Sequence, residues 1–586
     1  MEYKVDFEDI QFTLFDFLKI GELKNLPYFE GQSQEMYLSV LEEALKFAKK
    51  EIAPLNEKGD RIGAQVKDGK VVMPEGFKEV LANFAANGFM GVDLDPAYGG
   101  MGLPASINIA VSEFVMGACA SFAFFHLLTR GDCALLQAFA SEEQKKLYIP
   151  NMLNGRWNGT MCLTEPQAGS AVGDLTTVAK PNGDGTYQIH GTKIFITCGN
   201  HDLTENVIHL VLARVEGDAP GTKGISLFIV PEKRVSPDGS LGEDNDVKLV
   251  SIEHKMGIKA SPTCLLQFGD NGKCQGYLVG EQSRGMVYMF QLMNEARVAV
   301  GQQGVALAGP AYEYALGYAK ERTQGGKTLI VNYPDVRRML MTQKAYVEAL
   351  RALVFEGASC VDYAWHHSEE AVREEYEAYA GILTPVVKAF GSDMGFRSTE
   401  LAIQTYGGYG FIQDYPVEQY MRDLKIASLY EGTNGIQAMD LIGRKFLRDG
   451  GKNLTLYGKR LSTQLQEVLE EDSLKPLAQK ILNHLQSFQK AAEAVAAQAM
   501  ENQHSIGLNA TPFLRALGDI VCAQLLVRRA KVALEQIDSA PTEERKKFLQ
   551  SKIEVARFYV EQLLPEADLN IARILSKDTS AMADVL

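Results

Sequence analysis

The sequence predicts an α+β chain in which a helical segment, a β segment and a second helical segment follow one another, with a further helical tail. Three observations predict it. Apolar residues recur at helical spacing from Gln34: Tyr37, Leu38, Val40, Leu41, Ala44, Leu45, Phe47 and Ala48. Near Gly155 the texture changes to short β-type runs separated by turn signals such as Asn182-Gly183-Asp184-Gly185. From Gly285 the helical pattern returns, continues to about Phe446, and resumes beyond Gly450-Gly451.

The 586 residues suffice for several domains, and 46% hydrophobic with 23% charged residues is an ordinary globular composition. A net charge of -15 argues against a general polyanion binder and hence against a nucleic-acid partner. The eight cysteines contain no CxxC pair, so neither a metal site nor a disulfide framework is expected, and free thiols fit a reducing cytoplasm. The N-terminus lacks a basic region followed by an apolar core, so no signal peptide is expected. No apolar run approaches the roughly 20 residues of a membrane span.

In chain order, residues 1–33 form an aromatic-rich extension (Phe7, Phe12, Phe15, Phe17, Tyr28) expected to wrap onto the body of the protein. Residues 34–158 read as a helical domain interrupted at Pro54 and around Gly59 and Gly63, with a further helix after Pro74. The loop Tyr98-Gly99-Gly100-Met101-Gly102 lacks the strand-then-helix setting of a dinucleotide fingerprint. Residues 159–280 read as β, with runs at 159–163, 187–191, 207–212 and 225–230. Residues 281–450 are helical, and residues 451–586 form a helical extension in which Thr542-Glu543-Glu544 opens a helix.

Four stretches carry candidate chemistry. Cys162-Leu163-Thr164-Glu165-Pro166-Gln167-Ala168-Gly169-Ser170 ends a strand in a turn, offering a hydroxyl and backbone N–H groups to a polar ring edge and a phosphate, or forming an ordinary β-turn. Gly191-Thr192-Lys193-Ile194-Phe195-Ile196-Thr197 places an aromatic and a threonine on one strand face, suited to a flat ring or to a sheet core. Asn294-Glu295-Ala296-Arg297 reads as a helix start, and Arg322-Thr323-Gln324-Gly325-Gly326 as a helix end. Finally, Gln404-Thr405-Tyr406-Gly407-Gly408-Tyr409-Gly410-Phe411 leads through Met421-Arg422-Asp423 to Tyr430-Glu431-Gly432-Thr433-Asn434. There one carboxylate, Glu431, sits in a turn between two helices, either complementing a helix dipole or pointing into a cleft. Gly432 admits a close approach, and Thr433 or Asn434 can cap the next helix.

Taken together, CLTEPQAGSA at Cys162 and the series from Gln404 through GGYGF, Pro416 and Met421-Arg422-Asp423 to YEGT resemble the acyl-CoA dehydrogenase family over about residues 35 to 447. The resemblance implies an N-terminal helical domain, a central β-sandwich or barrel, a four-helix bundle and an extra C-terminal helical domain. It implies FAD as cofactor and an acyl-CoA substrate. Glu431 matches the family's catalytic base. Thr164, Gly169 and Ser170 match flavin-edge and phosphate contacts, Ser170 also touching CoA. Phe195, Ile196 and Thr197 match the segment lining the isoalloxazine. Asn294 and Arg297 match the CoA-holding pair, with Tyr430 and Gly432 beside the substrate. Arg322, Gln324, Gln404, Gly407 and Gly408 match contacts to the FAD of a neighbouring subunit, and Thr433 a contact beside the base. Four residues depart from the family's commoner pattern: Ala171 for Asp, Phe195 for Trp, Asn294 for an acid, and Gly435 for a polar residue.

The implied reaction is α,β-dehydrogenation to a trans-2-enoyl-CoA. Glu431 takes the α-proton while the backbone N–H of Glu431 and a flavin ribityl hydroxyl stabilise the enolate, each donor contributing about 3–4 kcal/mol. A dry cleft raises the carboxylate's pKa towards its task. Electrons pass to an electron-transfer flavoprotein. The tail places the chain beside an extended bacterial branch with 3-methylmercaptopropionyl-CoA and long-chain dehydrogenases. Its added helices, covering the surface a second dimer would use, predict a homodimer. Apolar Ala123 and Leu127 near the expected pocket floor favour medium, long or methylthio-acyl chains. The rivals are an acyl-CoA oxidase, against which the terminal Ala581-Met582-Ala583-Asp584-Val585-Leu586 offers no peroxisomal address, and a DNA-binding homologue, against which the acidic charge speaks.

Overall fold

The computed structural model describes residues 2–502 and 504–585, and for residues 291–295 the helical backbone alone. The chain divides into two compact units. The first is made chiefly of residues 39–296, the second of residues 4–38 and 297–586.

The first unit begins in helices. Pro54 does not interrupt them as expected. It occupies the first turn of helix Ala53–Ile62, where no N–H is needed, and a wide π turn at Ala48–Ile52 joins it to helix Gln34–Phe47. Helix Ala105–Ala118 is buried at every residue from Ser106 onward, so it shows no polar stripe. Phe77, Phe84, Phe114 and Phe122 are fully buried, with the rings of Phe84 and Phe122 5.9 Å apart, edge to face. Ser141 and Gln144 close a reciprocal capping box on helix Glu142–Leu153.

The rest of the unit is built around an eight-stranded sheet, with two small two-stranded sheets at 65–67/70–72 and 233–235/241–244. Its main path runs 247–252, 263–268, 187–197, 275–278, 225–231, 206–215, 157–162, with 178–181 pairing both 187–197 and 206–215. Strand 206–215 pairs in parallel with 157–162 and 178–181, whereas the other pairs are antiparallel. Strand 225–231 is buried at every residue.

In the second unit the N-terminal extension packs as expected. It folds as helix Phe7–Gln11 and a π turn at Phe12–Phe17, with Asp9, Ile10, Phe12 and Leu14 fully buried. Arg351 reaches Asp9 at 2.6 Å and Lys552 at 2.5 Å, and Arg529 also pairs with it. The extension is thereby tied to helix Pro334–His366 and to two helices of the tail, His504–Ile537 and Glu543–Phe558.

The helix expected to start at Asn294 starts at Gly285 and ends at Glu321, so Arg297 lies in a helix interior. The apolar pattern before Asn294 (Met286, Val287, Met289, Phe290) already belongs to it. This helix and helix Glu370–Tyr406 cross closely: a Cβ on Gly304 would lie 2.2 Å from the Gly391 carbonyl oxygen. The tail forms helices Lys452–Leu469, Lys475–Glu501, His504–Ile537, Glu543–Phe558 and Pro565–Leu575, and Thr542 caps the fourth through its hydroxyl. Among the described residues one helix, His504–Ile537, is long and apolar enough to cross a membrane, and 83% of its apolar window is buried within the protein. That is the pattern of a core helix.

Candidate active site

Glu431 lies in the second unit, in the turn between a 3-10 segment at Lys425–Ser428 and helix Asn434–Asp440. Its backbone is left-handed, with φ 54°. Glutamate has no short polar side chain to compensate that conformation, which costs on the order of 1–3 kcal/mol and marks a residue held by its surroundings. Gly432 follows at φ 81°, and a Cβ there would lie 2.7 Å from Gln437 Nε2. Gln437 Nε2 donates to the carbonyls of Glu431 at 3.2 Å and Gly432 at 3.3 Å. Of the two caps left open by the sequence, Thr433 serves, its hydroxyl accepting from the Ile436 N–H at 3.2 Å.

Two cations act on the carboxylate. Arg297 is buried and bound to Asp440 at 3.1 Å, and Lys388 is buried and bound to Asn434 Oδ1 at 2.8 Å. Burial outweighs both and pushes the Glu431 carboxyl above the ordinary carboxylate range. Burial likewise lowers Lys388 to about 8, against the opposing pull of Glu431 and Asp393. Tyr430 donates its hydroxyl to Gln303 Oε1 at 2.6 Å, fixing the residue before Glu431. Glu431, Gly432, Tyr430, Thr433 and Arg297 are thus brought together. The side chain of Asn294 lies outside the described residues.

A second group gathers in the same unit. Arg322, Gln324, Gln404, Gly407 and Gly408 line one cleft of about 440 Å³, with Tyr318, Tyr406, Tyr409 and Ile412. Gly407, at φ 61°, ends helix Glu370–Tyr406, and neither it nor Gly408 has an atom within 4 Å of a built Cβ. The Arg322 guanidinium stacks over Tyr409, 5.4 Å from its centroid, while its Nε is buried with no protein partner.

The remaining candidates lie in the first unit. Thr164 is half-buried at the end of strand Trp157–Cys162, and its carbonyl accepts from the Ile194 N–H at 2.9 Å, joining the turn to strand Tyr187–Thr197. Gly169 and Ser170 are exposed beyond it. Glu165 organises this turn. Its carboxylate accepts from Gln167, from the N–H and hydroxyl of Thr176, from those of Thr177, and from Lys193 Nζ at 2.9 Å. Strand Tyr187–Thr197 does not alternate regularly, as the sequence suggested. Cys264 faces Ile196 but Leu266 faces Lys193, so a bulge inserts an extra residue around Ile194-Phe195. Phe195 takes φ 60° and stands 58% exposed, Ile196 is buried, and Thr197 is half-buried. Alternation cannot disclose a bulge, and only the register does. Glu165 and Lys193 sit inside the two motifs, yet their roles were missed because their partnership spans two strands. Lys388 was missed too, although a lone lysine in Val386-Val387-Lys388-Ala389-Phe390 is a signal.

Family models match the chain in four consecutive blocks. They are the acyl-CoA dehydrogenase N-terminal domain over residues 34–156, the middle domain over 160–271, the C-terminal domain over 283–446, and an acetyl-CoA dehydrogenase C-terminal-like domain over 461–584. A 3-methylmercaptopropionyl-CoA dehydrogenase of Ruegeria pomeroyi is 37% identical over 99% of both chains. The chain belongs to the acyl-CoA dehydrogenase family. A broad-specificity linear acyl-CoA dehydrogenase, FadE5, of Mycobacterium tuberculosis is also 37% identical, over 96% of each chain, which supports the extended bacterial branch. The fold is shared with an acyl-CoA dehydrogenase of Bacillus anthracis solved with FAD, at TM-score 0.76, 22% identity, and coverage of 96% of this chain and 91% of that one.

Acyl-CoA dehydrogenases are flavoproteins that bind FAD, and the residues of this dehydrogenase fit that group. A Cβ on Gly407 or Gly408 would project into open space, which leaves room there for a bound group, and the buried Arg322 Nε that lines the same cleft wants an acceptor, as a phosphate provides. An exposed aromatic ring on a strained bulge is a surface made to be covered. Among the described residues, no group of three His, Cys, Asp or Glu could hold a metal.

Proposed function

We propose that this acyl-CoA dehydrogenase oxidises medium, long or methylthio-acyl chains to the trans-2-enoyl-CoA with Glu431 as base, and passes the electrons to an electron-transfer flavoprotein. The observation that carries this reading is Glu431 itself: a left-handed residue between two helices, its carboxyl raised by burial and flanked by Arg297 and Lys388. When bound, FAD supplies the acceptor for the β-hydride. Glu431 removes the α-proton and keeps it on its carboxyl oxygen. Its N–H donates to the thioester oxygen as negative charge develops there. Arg297 opposes the rise that burial imposes on the carboxyl, and Gln437 holds the turn so that side chain and N–H face the substrate together.

Asn294 and Arg297 orient the CoA portion, with Ser170, Tyr430 and Gly432 beside it. Thr164, Gly169, Ser170, Phe195, Ile196, Thr197 and Thr433 hold the subunit's own flavin. Arg322, Gln324, Gln404, Gly407 and Gly408 contact the FAD of a second copy. Phe411, 87% exposed next to this cleft, and Tyr409 and Ile412, both about two-fifths exposed, support a homodimer. We divide the chain functionally at residues 33, 158, 280 and 450, and place the enzyme in the cytoplasm.

The test is bleaching of the flavin absorbance by acyl-CoA thioesters of graded length. Glu431→Gln should keep the yellow colour and lose bleaching by about 10²–10⁴-fold. Turnover retained in that variant would overturn the assignment. Light scattering showing a tetramer of intact chains would overturn the dimer.

A further inference from the structure

The turn that carries Glu431 is connected to the C-terminal extension by hydrogen bonds between charged and polar side chains. Asn434 opens the helix after the base. Its Oδ1 accepts from Lys388 Nζ at 2.8 Å, and its Nδ2 donates to Asp393 Oδ1 at 2.7 Å, to Ser392 Oγ at 2.9 Å and to the Ala389 carbonyl at 3.2 Å. The amide cannot be reversed. An ammonium only donates and a carboxylate only accepts, so a flipped Asn434 would face donor to donor and acceptor to acceptor. Asp393 uses its other oxygen, Oδ2, to accept from Arg515 Nη2 at 3.1 Å. Arg515 belongs to helix His504–Ile537, in the tail that follows the link at Gly450-Gly451. That helix is pressed against helix Glu370–Tyr406 near this point: a Cβ on Gly518 would lie 2.4 Å from the Phe390 ring. A small shift of the tail helix is therefore not absorbed by slack.

We propose that Arg515 is a positioning residue for the dehydrogenation: through Asp393 and Asn434 the C-terminal extension holds the catalytic turn in its working conformation. The proposal rests on Glu431 being the base, and it gives the extension a part in the reaction itself. Positive charge at Arg515 fixes the Asp393 carboxylate, Asp393 fixes the Asn434 amide, and Asn434 fixes the first turn of the helix that begins three residues after Glu431. Nothing in the chain from Arg515 to Asn434 needs to touch substrate. The expected signature is a slower chemical step with unchanged substrate binding, because only the base is misplaced.

The experiment follows flavin bleaching in the intact holoenzyme with butyryl-, octanoyl- or palmitoyl-CoA, whichever bleaches the wild type fastest. Arg515→Ala should lower the bleaching rate about fivefold with KM within twofold of wild type, as expected for a half-exposed charged contact acting at one remove. Asp393→Asn, which keeps an acceptor for Asn434 but no longer a charge for Arg515, should match it, and Arg515→Lys should restore most of the rate. In an Asn434→Ala background Arg515→Ala should cause no further loss. A general weakening of the fold would instead give an additive loss there. Should Arg515→Ala not accumulate as yellow protein, Asp393→Asn and Arg515→Lys carry the same test. Wild-type bleaching in both Arg515→Ala and Asp393→Asn, or full additivity with Asn434→Ala, overturns the proposal. If Glu431→Gln still bleaches, it is the identity of the base that fails. If Glu431→Gln is dead and Arg515→Ala is unimpaired, only the role of Arg515 fails.

Discussion

Lys193 donates to Glu165 at 2.9 Å, and neither side chain exposes more than 1% of its surface. The pair ties the turn carrying Thr164, Gly169 and Ser170 to the strand carrying Phe195, Ile196 and Thr197. Burial pushes the Glu165 carboxyl up, but Lys193 and the donors of Thr177 and Thr176 overcome it and bring it down to about 2. Glu165→Gln leaves Lys193 buried without its counter-charge, which should destabilise the protein by about 3–5 kcal/mol near neutrality. A folded pKa below the unfolded one gives stability that is complete above the ordinary value of 4.5 and is lost as pH falls towards about 2. The melting-temperature gap between variant and wild type should therefore be constant above about pH 5 and close below it. A gap that does not change with pH would show that the charge is not what stabilises the turn.

Glu431 carries the opposite sign. Its carboxyl is raised by burial, with Arg297 and Lys388 opposing. In the proposed role as base Glu431 works only when ionised, so kcat/KM should fall as pH falls, with its midpoint above that of an ordinary glutamate. Arg297→Gln removes the larger opposing charge and should move the midpoint further upward. Rates measured across pH with one thioester check both, and a downward move would show that the guanidinium does not act on the base.

Phe195 trades backbone comfort for an exposed ring. At φ 60° a glycine would sit without penalty, so Phe195→Gly should stabilise the flavin-free protein by about 1 kcal/mol. It should at the same time weaken FAD retention, by about tenfold if the ring covers the flavin face. The ratio of flavin to protein absorbance after gel filtration, with melts of the flavin-free form, separates the two effects. Unchanged retention would exclude the ring from the cofactor site.

Asp9 draws Arg351, Arg529 and Lys552 together in a buried cluster that Glu348 also joins. Asp9→Ala removes the carboxylate that Arg351, Arg529 and Lys552 share, leaving Arg529 and Lys552 to Glu348, which Lys344 already engages, and should destabilise the second unit by about 3–5 kcal/mol. Thermal melts of holoenzyme would show it. An unchanged melting temperature would mean that the Asp9 cluster does not hold the N-terminal extension, leaving that to Phe12, Leu14 and the pairs of Arg545 with Glu8 and Asp16.

Much of this was legible in the residues because it depends on local rules. The change from helical to alternating texture follows from periods of 3.6 and 2, so the layout of the chain could be read before any contact was known. Glu431 stands out as a candidate because a carboxylate before Gly-Thr-Asn at a helix junction is locally unusual, and the structure adds its left-handed backbone. The return of helix at Gly285 was read correctly, but Asn294 was misread as a helix start although it lies inside that helix, and Pro54 was misread because a first-turn proline looks like a breaker when the cap is unknown.

By itself the sequence determined the order of its segments, the residues with reactive or donor groups, and the turns in which they lie. These follow from side-chain chemistry and short-range backbone preference. Only the tertiary structure decided that Phe195 is turned outward on a bulge, that Glu165 in its turn is paired with Lys193 from a strand, that five separated residues line one cleft, and that Arg515 reaches Asp393, which holds Asn434 beside Glu431. Register, burial and the pairing of charges depend on residues far apart in the chain. Their energies exist only once those residues are packed together and water is excluded.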